Sequence, residues 1–123
     1  MSRRAAETRG RKAEGKAALW LRLFGWRILA RRVRVHGGEV DLVARRGRTV
    51  AFVEVKARAS DDAAAMALDE YRLRRVATAA EQLAARFMRE GDDIRIDAIF
   101  IVPGRLPRHL PNVWLGDKIG HLA

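Results

Sequence analysis

The stretch GGEVDLVARRGRTVAFVEVKAR, residues 37–58, decides the fold of this chain, because it holds two runs in which apolar and charged residues alternate. Such alternation is typical of β-strands with one face in the core. Between the runs lies Gly47-Arg48, a two-residue turn with glycine first that fits a type II′ hairpin. This turn predicts three antiparallel pairs: Arg46 with Thr49, Asp41 with Glu54, and Glu39 with Lys56.

The predicted hairpin carries its charges on a face that begins as core. Successive strand side chains point to opposite faces, so Glu39 and Asp41 should share one face. Val40 and Leu42 should take the other face. On the second strand, Val50 and Phe52 precede Glu54 and Lys56 on one face. The charged residues therefore extend an apolar surface, and we expect the four to converge on one patch.

Two carboxylates that face each other across a sheet repel. Partly burying them costs several kcal/mol unless a cation compensates. Lys56 can neutralise Glu39, which leaves the pair Asp41 and Glu54. A divalent cation such as Mg²⁺ suits that pair, since Mg²⁺ is commonly held by one or two carboxylates beside a phosphate. The alternative is an ordinary amphipathic strand whose charges are solvated or paired across the hairpin.

Lys56 is a second signal, because it is the only lysine between Lys16 and Lys118 in a chain rich in arginine. A compact ammonium group can approach a scissile phosphate where a forked guanidinium does not fit.

Outward from the hairpin, periodicity and breaker residues predict the remaining elements. A helix over about residues 13–24, with an apolar stripe of Ala17, Trp20, Leu21 and Phe24, precedes a strand at 27–35. The hairpin strands span 39–45 and 49–56. A second helix over about 67–90 then leads to a strand at 94–102 and a short candidate strand at 112–115. The order α-β-β-β-α-β predicts an α/β protein with a mixed central sheet flanked by helices.

Composition narrows the class of protein. The chain has 123 residues, a net charge of +10 and no cysteine, which excludes disulfides and thiolate metal sites. Residues 1–12 are basic and predict a flexible arm, followed by a single domain over 13–123. Without an apolar span or a signal sequence, we expect a cytoplasmic protein that does not contact membranes. The basic excess favours nucleic acid as the partner.

Several of these segments resemble a known family. Gly38–Ala44 and Phe52–Arg58, with AEGKAALWL at the first helix and RIDAI at residues 95–99, are similar to the YraN-like family of uncharacterised bacterial proteins. That family is assigned to the restriction-endonuclease-like fold with the PD-(D/E)xK active site, similar to archaeal Holliday junction resolvases. The resemblance covers most of residues 13–102.

The resemblance implies roles for individual residues. Asp41 and Glu54 would be the metal carboxylates for Mg²⁺ or Mn²⁺, and Lys56 the catalytic lysine. Glu14 matches a helix glutamate that joins the metal site in similar resolvases. Read alone, Glu14 is a solvated glutamate in the first turn of its helix. Glu39 belongs to the motif and orients Lys56 in the predicted register. Arginines near the motif and on the second helix are candidates to contact phosphates: Arg31, Arg32, Arg34, Arg58, Arg72 and Arg75.

Three functions remain open from the sequence. The resemblance implies a metal-dependent nuclease that hydrolyses phosphodiester bonds, with branched DNA as one candidate substrate. The first alternative is a non-catalytic nucleic-acid-binding protein with a vestigial nuclease site. The second is a protein-interaction role in which the basic charge reflects composition alone. Analogy with junction resolvases also implies a homodimer, although nothing in the sequence encodes one.

Overall fold

The architecture is a five-stranded sheet with one long helix on each face. The computed structural model describes residues 3–59 and 70–114, with side chains from residue 10 onwards. The elements are, in chain order, α1 (Arg3–Leu23), β1 (Arg27–Val35), β2 (Gly38–Arg46), β3 (Thr49–Ala57), α2 (Glu70–Phe87), β4 (Asp93–Ile101) and β5 (Arg108–Leu110). The α/β prediction and the predicted order of the first six elements are confirmed.

The sheet is mixed, with spatial order β1-β2-β3-β4-β5. The first three strands form an antiparallel meander, because their connections are two-residue turns. β4 lies parallel to β3, since the chain crosses over through α2 before it returns to the sheet. β5 closes the far edge antiparallel to β4, so β4 is an internal strand as its apolar sequence predicts.

Each face of the sheet has its own core layer. Val50 and Phe52 pack with Leu73, Val76 and other apolar residues of α2. On the opposite face α1 contributes three fully buried side chains, which are Ala17, Ala18 and Leu21. Two members of the predicted α1 stripe depart from this layer: Trp20 is only partly buried, and Phe24 is 55% exposed. No helix in the described part of the chain is long and apolar enough to span a membrane.

Helix α1 begins ten residues earlier than its apolar stripe predicts. Residues 3–12, which the sequence pattern predicts to form a flexible basic arm, are helical. Most residues in this segment are alanine, arginine, glutamate and lysine, which have high intrinsic helix propensity. A helix already nucleated on the buried Ala13, Ala17 and Leu21 can extend through such a segment at little cost. Glu14 therefore lies within the helix and not in its first turn.

The side-chain alternation of β2 has a local break that its sequence pattern does not predict, although the register with β1 continues from Arg31–Leu42 to Val33–Val40. Val40 packs in the core layer under α2, whereas Leu42 packs in the layer under α1. The prediction that these two side chains share a face is therefore wrong. Opposite this point Arg32 has a φ of +51°, a left-handed conformation that is strained for a residue with a side chain. The break changes the side-chain alternation between Val40 and Leu42, with Asp41 at its centre.

The segment after β4 differs from its prediction because a buried aspartate reorganises it. The strand expected at 112–115 is absent from residues 112–114, and β5 lies at Arg108–Leu110 (residue 115 is outside the described chain). Asp97 is fully buried and accepts a 2.9 Å hydrogen bond from the Asn112 amide. Asn112 has a φ of +53°, which turns the chain and prevents an extended strand.

Asp97 holds this segment through three kinds of donor. Arg95 binds it with two bonds of 2.9 Å, and His109 Nε2 lies 2.7 Å from Oδ2. Burial acts to raise the pKa of Asp97, but hydrogen bonds from His109, Arg95 and the Asn112 amide outweigh it and lower the pKa below its ordinary value. Asp97 therefore has a structural role, because it holds the segment that follows β4 against the sheet.

A substitution at Gly38 tests how closely β2 packs against α2. A Cβ at this position would lie 2.4 Å from the Arg75 carbonyl oxygen and 2.8 Å from the Ala79 nitrogen, both of them backbone atoms. We expect Gly38→Ala to lower the free energy of unfolding by at least about 2 kcal/mol, because backbone cannot move aside as a side-chain tip can. Chemical denaturation measures this change.

Gly15→Ala on α1 is the matched control, since nothing lies within 4 Å of its added Cβ. That substitution should stabilise the protein by about 0.5–1 kcal/mol. Equal effects at the two positions would contradict the packing described.

Candidate active site

The candidate active site lies where β2 and β3 separate. Their backbone pairing runs from Arg46–Thr49 to Leu42–Val53 and ends there. The predicted pair of Arg46 with Thr49 is confirmed, whereas the predicted pair of Asp41 with Glu54 lies beyond the last paired residues. Gly47 has the positive φ of +61° that its glycine-first turn requires. Past Leu42 the Asp41 side chain replaces the backbone partner: Oδ2 accepts a 2.7 Å hydrogen bond from the Val55 amide. The carboxylate is thereby fixed between the two strands.

Glu54 and Lys56 occupy the same end of β3, on the face that Val50 and Phe52 begin. Both are buried, with 1% of Glu54 and 6% of Lys56 exposed. Lys56 Nζ lies 3.2 Å from Glu54 Oε1. The predicted pairing of Lys56 with Glu39 is therefore wrong. Because the two strands diverge, each charged group on β3 takes a partner from its own strand or from α2.

Arg72 connects the two glutamates from the side of α2. Its Nη2 donates a 2.9 Å hydrogen bond to Glu54 Oε1, and its Nη1 lies 3.7 Å from Glu39 Oε1. Glu39 is also flanked by Arg34 at 3.8 Å and by Arg75 at 3.7 Å. Three arginines predicted as phosphate contacts are thus counterions of acidic site residues. Arg72 is the tightest of them, because it meets a carboxylate that is almost fully buried.

Asp41 has an unusual proton affinity. Burial raises the pKa of this carboxyl from its ordinary 3.8 to about 7, with a further increase from the negative charges of Glu54 and Glu14. The Val55 amide and the positive charge of Arg72 act in the opposite direction. Asp41 therefore lies in a pocket of net negative potential, and the cations around it offset only part of that potential.

Glu14 reaches the site from α1. It binds Arg32 through two short contacts, 2.7 Å and 3.0 Å from Arg32 Nε. Both residues line a cavity of about 450 Å³ together with Asp41 and Glu39. Gly10 and Arg11 line the same cavity, a contribution that the sequence reasoning missed because it placed these residues in a flexible arm. The helix-forming composition of residues 3–12 is the signal that identifies them.

The other two candidate phosphate contacts lie outside this network of ion pairs. Arg31 is exposed on β1. Arg58 directly follows β3, and its Nη1 donates a 2.7 Å hydrogen bond to the Ala57 carbonyl oxygen. The six predicted arginines therefore divide into four that pair with acidic site residues, Arg32, Arg34, Arg72 and Arg75, and two that are placed otherwise.

The donor set is suited to a hard divalent cation, but the described side chains do not already form a metal site. Carboxylate oxygens of Asp41, Glu54 and Glu14 are the ligand type that Mg²⁺ and Mn²⁺ prefer. Within residues 3–59 and 70–114, no group of three His, Cys, Asp or Glu side chains is close enough to hold a metal ion. Arg72 and Arg32 occupy positions on Glu54 and Glu14 where a bound cation would act.

The fold of the chain is shared with a solved nuclease structure. Comparison with known structures finds Archaeoglobus fulgidus Hjc, a Holliday junction resolvase from an archaeal hyperthermophile, with a TM-score of 0.51 and 22% sequence identity. The match covers 83% of this chain and 71% of the resolvase. This likeness defines the class: the chain is an α/β protein with the restriction-endonuclease-like fold, as its motifs predict.

The chain belongs to the uncharacterised protein family UPF0102, whose profile matches residues 13–101. This is the YraN-like family to which the sequence motifs point. A UPF0102 protein of Sphingopyxis alaskensis is 65% identical over 114 residues, 93% of this chain and 98% of the relative. Another from Rhizorhabdus wittichii is 57% identical over 118 residues, 95% of this chain and all of the relative. The similarity therefore extends over nearly the full length of these relatives.

The pKa of Asp41 predicts how stability depends on pH in the absence of divalent cations. Between pH 4 and about pH 7, the folded protein keeps a proton on Asp41 that the unfolded chain releases. The free energy of unfolding should therefore fall as pH rises through this window, and Asp41→Asn should remove this contribution. We expect the variant to gain on the order of 1–3 kcal/mol relative to wild type between pH 4 and pH 8.

Urea denaturation in EDTA across this pH range measures the difference. Asparagine keeps an acceptor for the Val55 amide, so the backbone contact is preserved. Asp93→Asn, at an exposed aspartate that begins β4, is the matched control. Parallel pH profiles for wild type and Asp41→Asn would contradict the raised pKa.

Proposed function

We propose that this protein is a divalent-metal-dependent nuclease of the PD-(D/E)xK type that hydrolyses phosphodiester bonds in nucleic acid, with branched DNA as the substrate class. One observation carries the proposal: Asp41, Glu54 and Lys56 meet where β2 and β3 separate, on a fold that the chain shares with a Holliday junction resolvase. The net charge of +10 supports a polyanionic substrate.

Asp41 and Glu54, with Glu14, would hold Mg²⁺ or Mn²⁺. The ion when bound supplies Lewis acidity at the scissile phosphate. The chain fixes its ligands beforehand, because the Val55 amide orients Asp41 and burial restricts Glu54. Net negative potential at Asp41 favours cation binding over an empty site.

Lys56 is the residue that acts on the attacking water. Its buried Nζ is held 3.2 Å from Glu54, so the ammonium group stays beside the carboxylates and does not extend into solvent. From this position it orients the water oxygen or stabilises charge that develops on the phosphate. In in-line attack the water gives a proton to solvent and its oxygen bonds to phosphorus, while the bond from phosphorus to the leaving 3′ sugar oxygen breaks and that oxygen takes up a proton from solvent. By analogy with the fold, the product keeps a 5′-phosphate.

A second candidate function is nucleic-acid binding without catalysis. The ion pairs favour it, since Arg72 on Glu54 and Arg32 on Glu14 already neutralise two of the three proposed ligands. In a vestigial site such internal cations would replace the metal permanently. The two functions differ in what the carboxylates bind when a divalent cation is offered.

A variant at Arg72 tests whether a divalent cation can displace this arginine from Glu54 or whether the arginine remains there permanently. Under the nuclease proposal, Arg72→Gln removes a competitor that lies 2.9 Å from Glu54. We expect the affinity for Mn²⁺ to rise about five- to tenfold, as measured by isothermal titration calorimetry without nucleic acid. Arg74→Gln is the matched control, because Arg74 lies on the same helix and pairs with the exposed Glu70. If neither wild type nor Arg72→Gln binds Mn²⁺, the result favours the vestigial site.

Lys56 tests catalysis directly. Wild type is incubated with labelled duplex, single-stranded and four-way-junction DNA in Mg²⁺, Mn²⁺ or EDTA. We expect metal-dependent cleavage, with the junction preferred, and a loss of at least about a hundredfold in Lys56→Ala. Binding measured in EDTA should survive the substitution, because Lys56 is buried and contributes little to the outer surface.

Lys16→Ala, at an exposed lysine of α1, controls for the loss of one positive charge. Undiminished cleavage by Lys56→Ala would remove this residue from the mechanism. Binding by wild type without cleavage in every metal would replace the nuclease proposal with the non-catalytic one.

A further inference from the structure

A second concave site lies at the end of α1 remote from Glu14. It is a cavity of about 400 Å³ on the α1 side of the sheet, hereafter the aromatic pocket. Three aromatic and three basic side chains line it: Trp20, Phe24, Trp26, Arg46, Arg95 and His109. Its volume lies within the range of small-molecule sites. No step of the proposed hydrolysis uses these residues.

The aromatic side chains are arranged as a partly open stacking surface. The ring centroids of Trp20 and Phe24 are 4.8 Å apart at an interplanar angle of 55°. Phe24 follows the last residue of α1 and leaves 55% of its surface in water. An exposed aromatic ring beside a second aromatic ring offers a surface on which a planar partner can stack.

The basic side chains of the aromatic pocket indicate that its planar partner carries negative charge. The Arg46 guanidinium carbon lies 4.6 Å from the Trp26 ring centroid, and its Nη1 donates to the Phe24 carbonyl oxygen. Arg95 lies 5.3 Å from the same ring. Among the described residues that line the pocket, no side chain is acidic. Arg95 and His109 are paired with the buried Asp97, so Arg46 supplies the positive charge beside the two tilted rings of Trp20 and Phe24. This arrangement fits a nucleobase with its phosphate better than an apolar protein segment.

The pocket is rigid on its inner side. Asp97, which is fully buried, holds Arg95 through two hydrogen bonds and His109 through a third. These bonds fix two of the three basic groups against the Trp26 ring, while Arg46 remains exposed. A ligand therefore meets a preformed wall with one exposed cation at its rim, an arrangement that limits the entropy lost on binding.

Glu54 and Lys56 lie on the α2 face of the sheet and the aromatic pocket on the α1 face. One strand reaches both only along α1, towards the cavity that Glu14 and Asp41 line together. Along β2, five residues separate Asp41 from Arg46, which is about 17 Å of extended chain. Along α1, ten residues separate Glu14 from Phe24, which is about 15 Å of helix. In a duplex this span corresponds to roughly four or five nucleotides of one strand, at about 3.4 Å each.

We propose that the aromatic pocket binds an unstacked nucleobase of the nucleic acid, so that the substrate class is DNA with unpaired bases near the cleaved phosphate, as in single strands and open branch points. The proposal rests on the proposed function for the identity of the substrate. Base binding in the aromatic pocket itself requires neither metal nor cleavage, so it can be tested separately.

The test measures base stacking in EDTA. A DNA duplex with one bulged fluorescent adenine analogue, whose emission is quenched on stacking, is titrated with protein and compared with the fully paired duplex. We expect tighter binding of the bulged duplex and quenching of the analogue. Phe24→Ala should reduce the affinity for the bulged duplex about tenfold, because it removes one stacking partner, and leave the paired duplex unaffected.

Leu23→Ala is the matched control, since Leu23 is also exposed, at 70%, but does not line the aromatic pocket. Equal affinity of wild type for bulged and paired DNA, or equal losses in the two variants, would overturn the proposal. Sedimentation of wild type and both variants tests whether the exposed aromatic surface is instead a dimer interface. If Phe24→Ala dissociates a dimer and leaves base binding unchanged, the surface is a protein interface and the proposal is wrong.

Cleavage assays are scored separately, so the two proposals fail independently. A wild-type protein that cleaves a junction in Mg²⁺ and quenches the analogue in EDTA supports both. Quenching by a wild-type protein that never cleaves supports the base-binding site alone.

Discussion

The hydrogen bond from the Val55 amide to the Asp41 carboxylate is the interaction on which the site depends. A backbone amide at the inner edge of a sheet needs an acceptor, and the partner strand normally supplies one. Here a side chain takes that position at 2.7 Å, which lets β2 leave β3 without an unpaired amide. The carboxylate gains a fixed orientation, and the gap between the strands admits Glu54 and Lys56 to the same end of the sheet. Strain at Arg32, on the neighbouring strand, accompanies this arrangement.

Charge compensation follows from that geometry. Burying Glu54 beside Asp41 is unfavourable unless positive groups lie close by, and Lys56 and Arg72 meet that need at 3.2 Å and 2.9 Å. Each comes from a regular element, so neither position depends on a loop. The compensation is incomplete at Asp41, whose raised pKa reflects burial first and the neighbouring carboxylates second. This residual negative potential distinguishes the site from a closed structural ion pair such as Arg45 with Asp92, which are 2.6 Å apart and both buried.

Much of the fold could be predicted from the sequence because short-range rules govern it. Alternation and a glycine-first turn predict β2 and β3, and the helical spacing of Leu73 and Val76 predicts the buried face of α2.

The remaining features of the fold depend on contacts between residues that are distant in sequence. Asp41 breaks the alternation because its acceptor role toward Val55 competes with regular pairing. β5 lies where Asp97 fixes the chain that follows it, and α1 extends beyond its apolar stripe because propensity alone sustains it. For the site, the residue types were predictable from the motif, whereas the partners of Glu39 and Lys56 were not, since strand divergence decides them.

The loosely held arginines give the candidate site a way to exchange partners. Arg34 is 88% exposed at its side chain and lies 3.8 Å from Glu39, a distance and exposure at which an ion pair contributes little to stability. Arg75 lies 3.7 Å from the same carboxylate. Under the proposed function, a substrate phosphodiester carries the same single negative charge as Glu39 and likewise presents two acceptor oxygens, so these guanidinium groups can turn to it at small cost. Arg72 differs because its partner Glu54 is 1% exposed. If it moves, a buried negative charge loses its counterion, and a divalent cation is the natural replacement. Exchange at the outer arginines and at Arg72 would then couple phosphate binding to metal binding through residues of one helix.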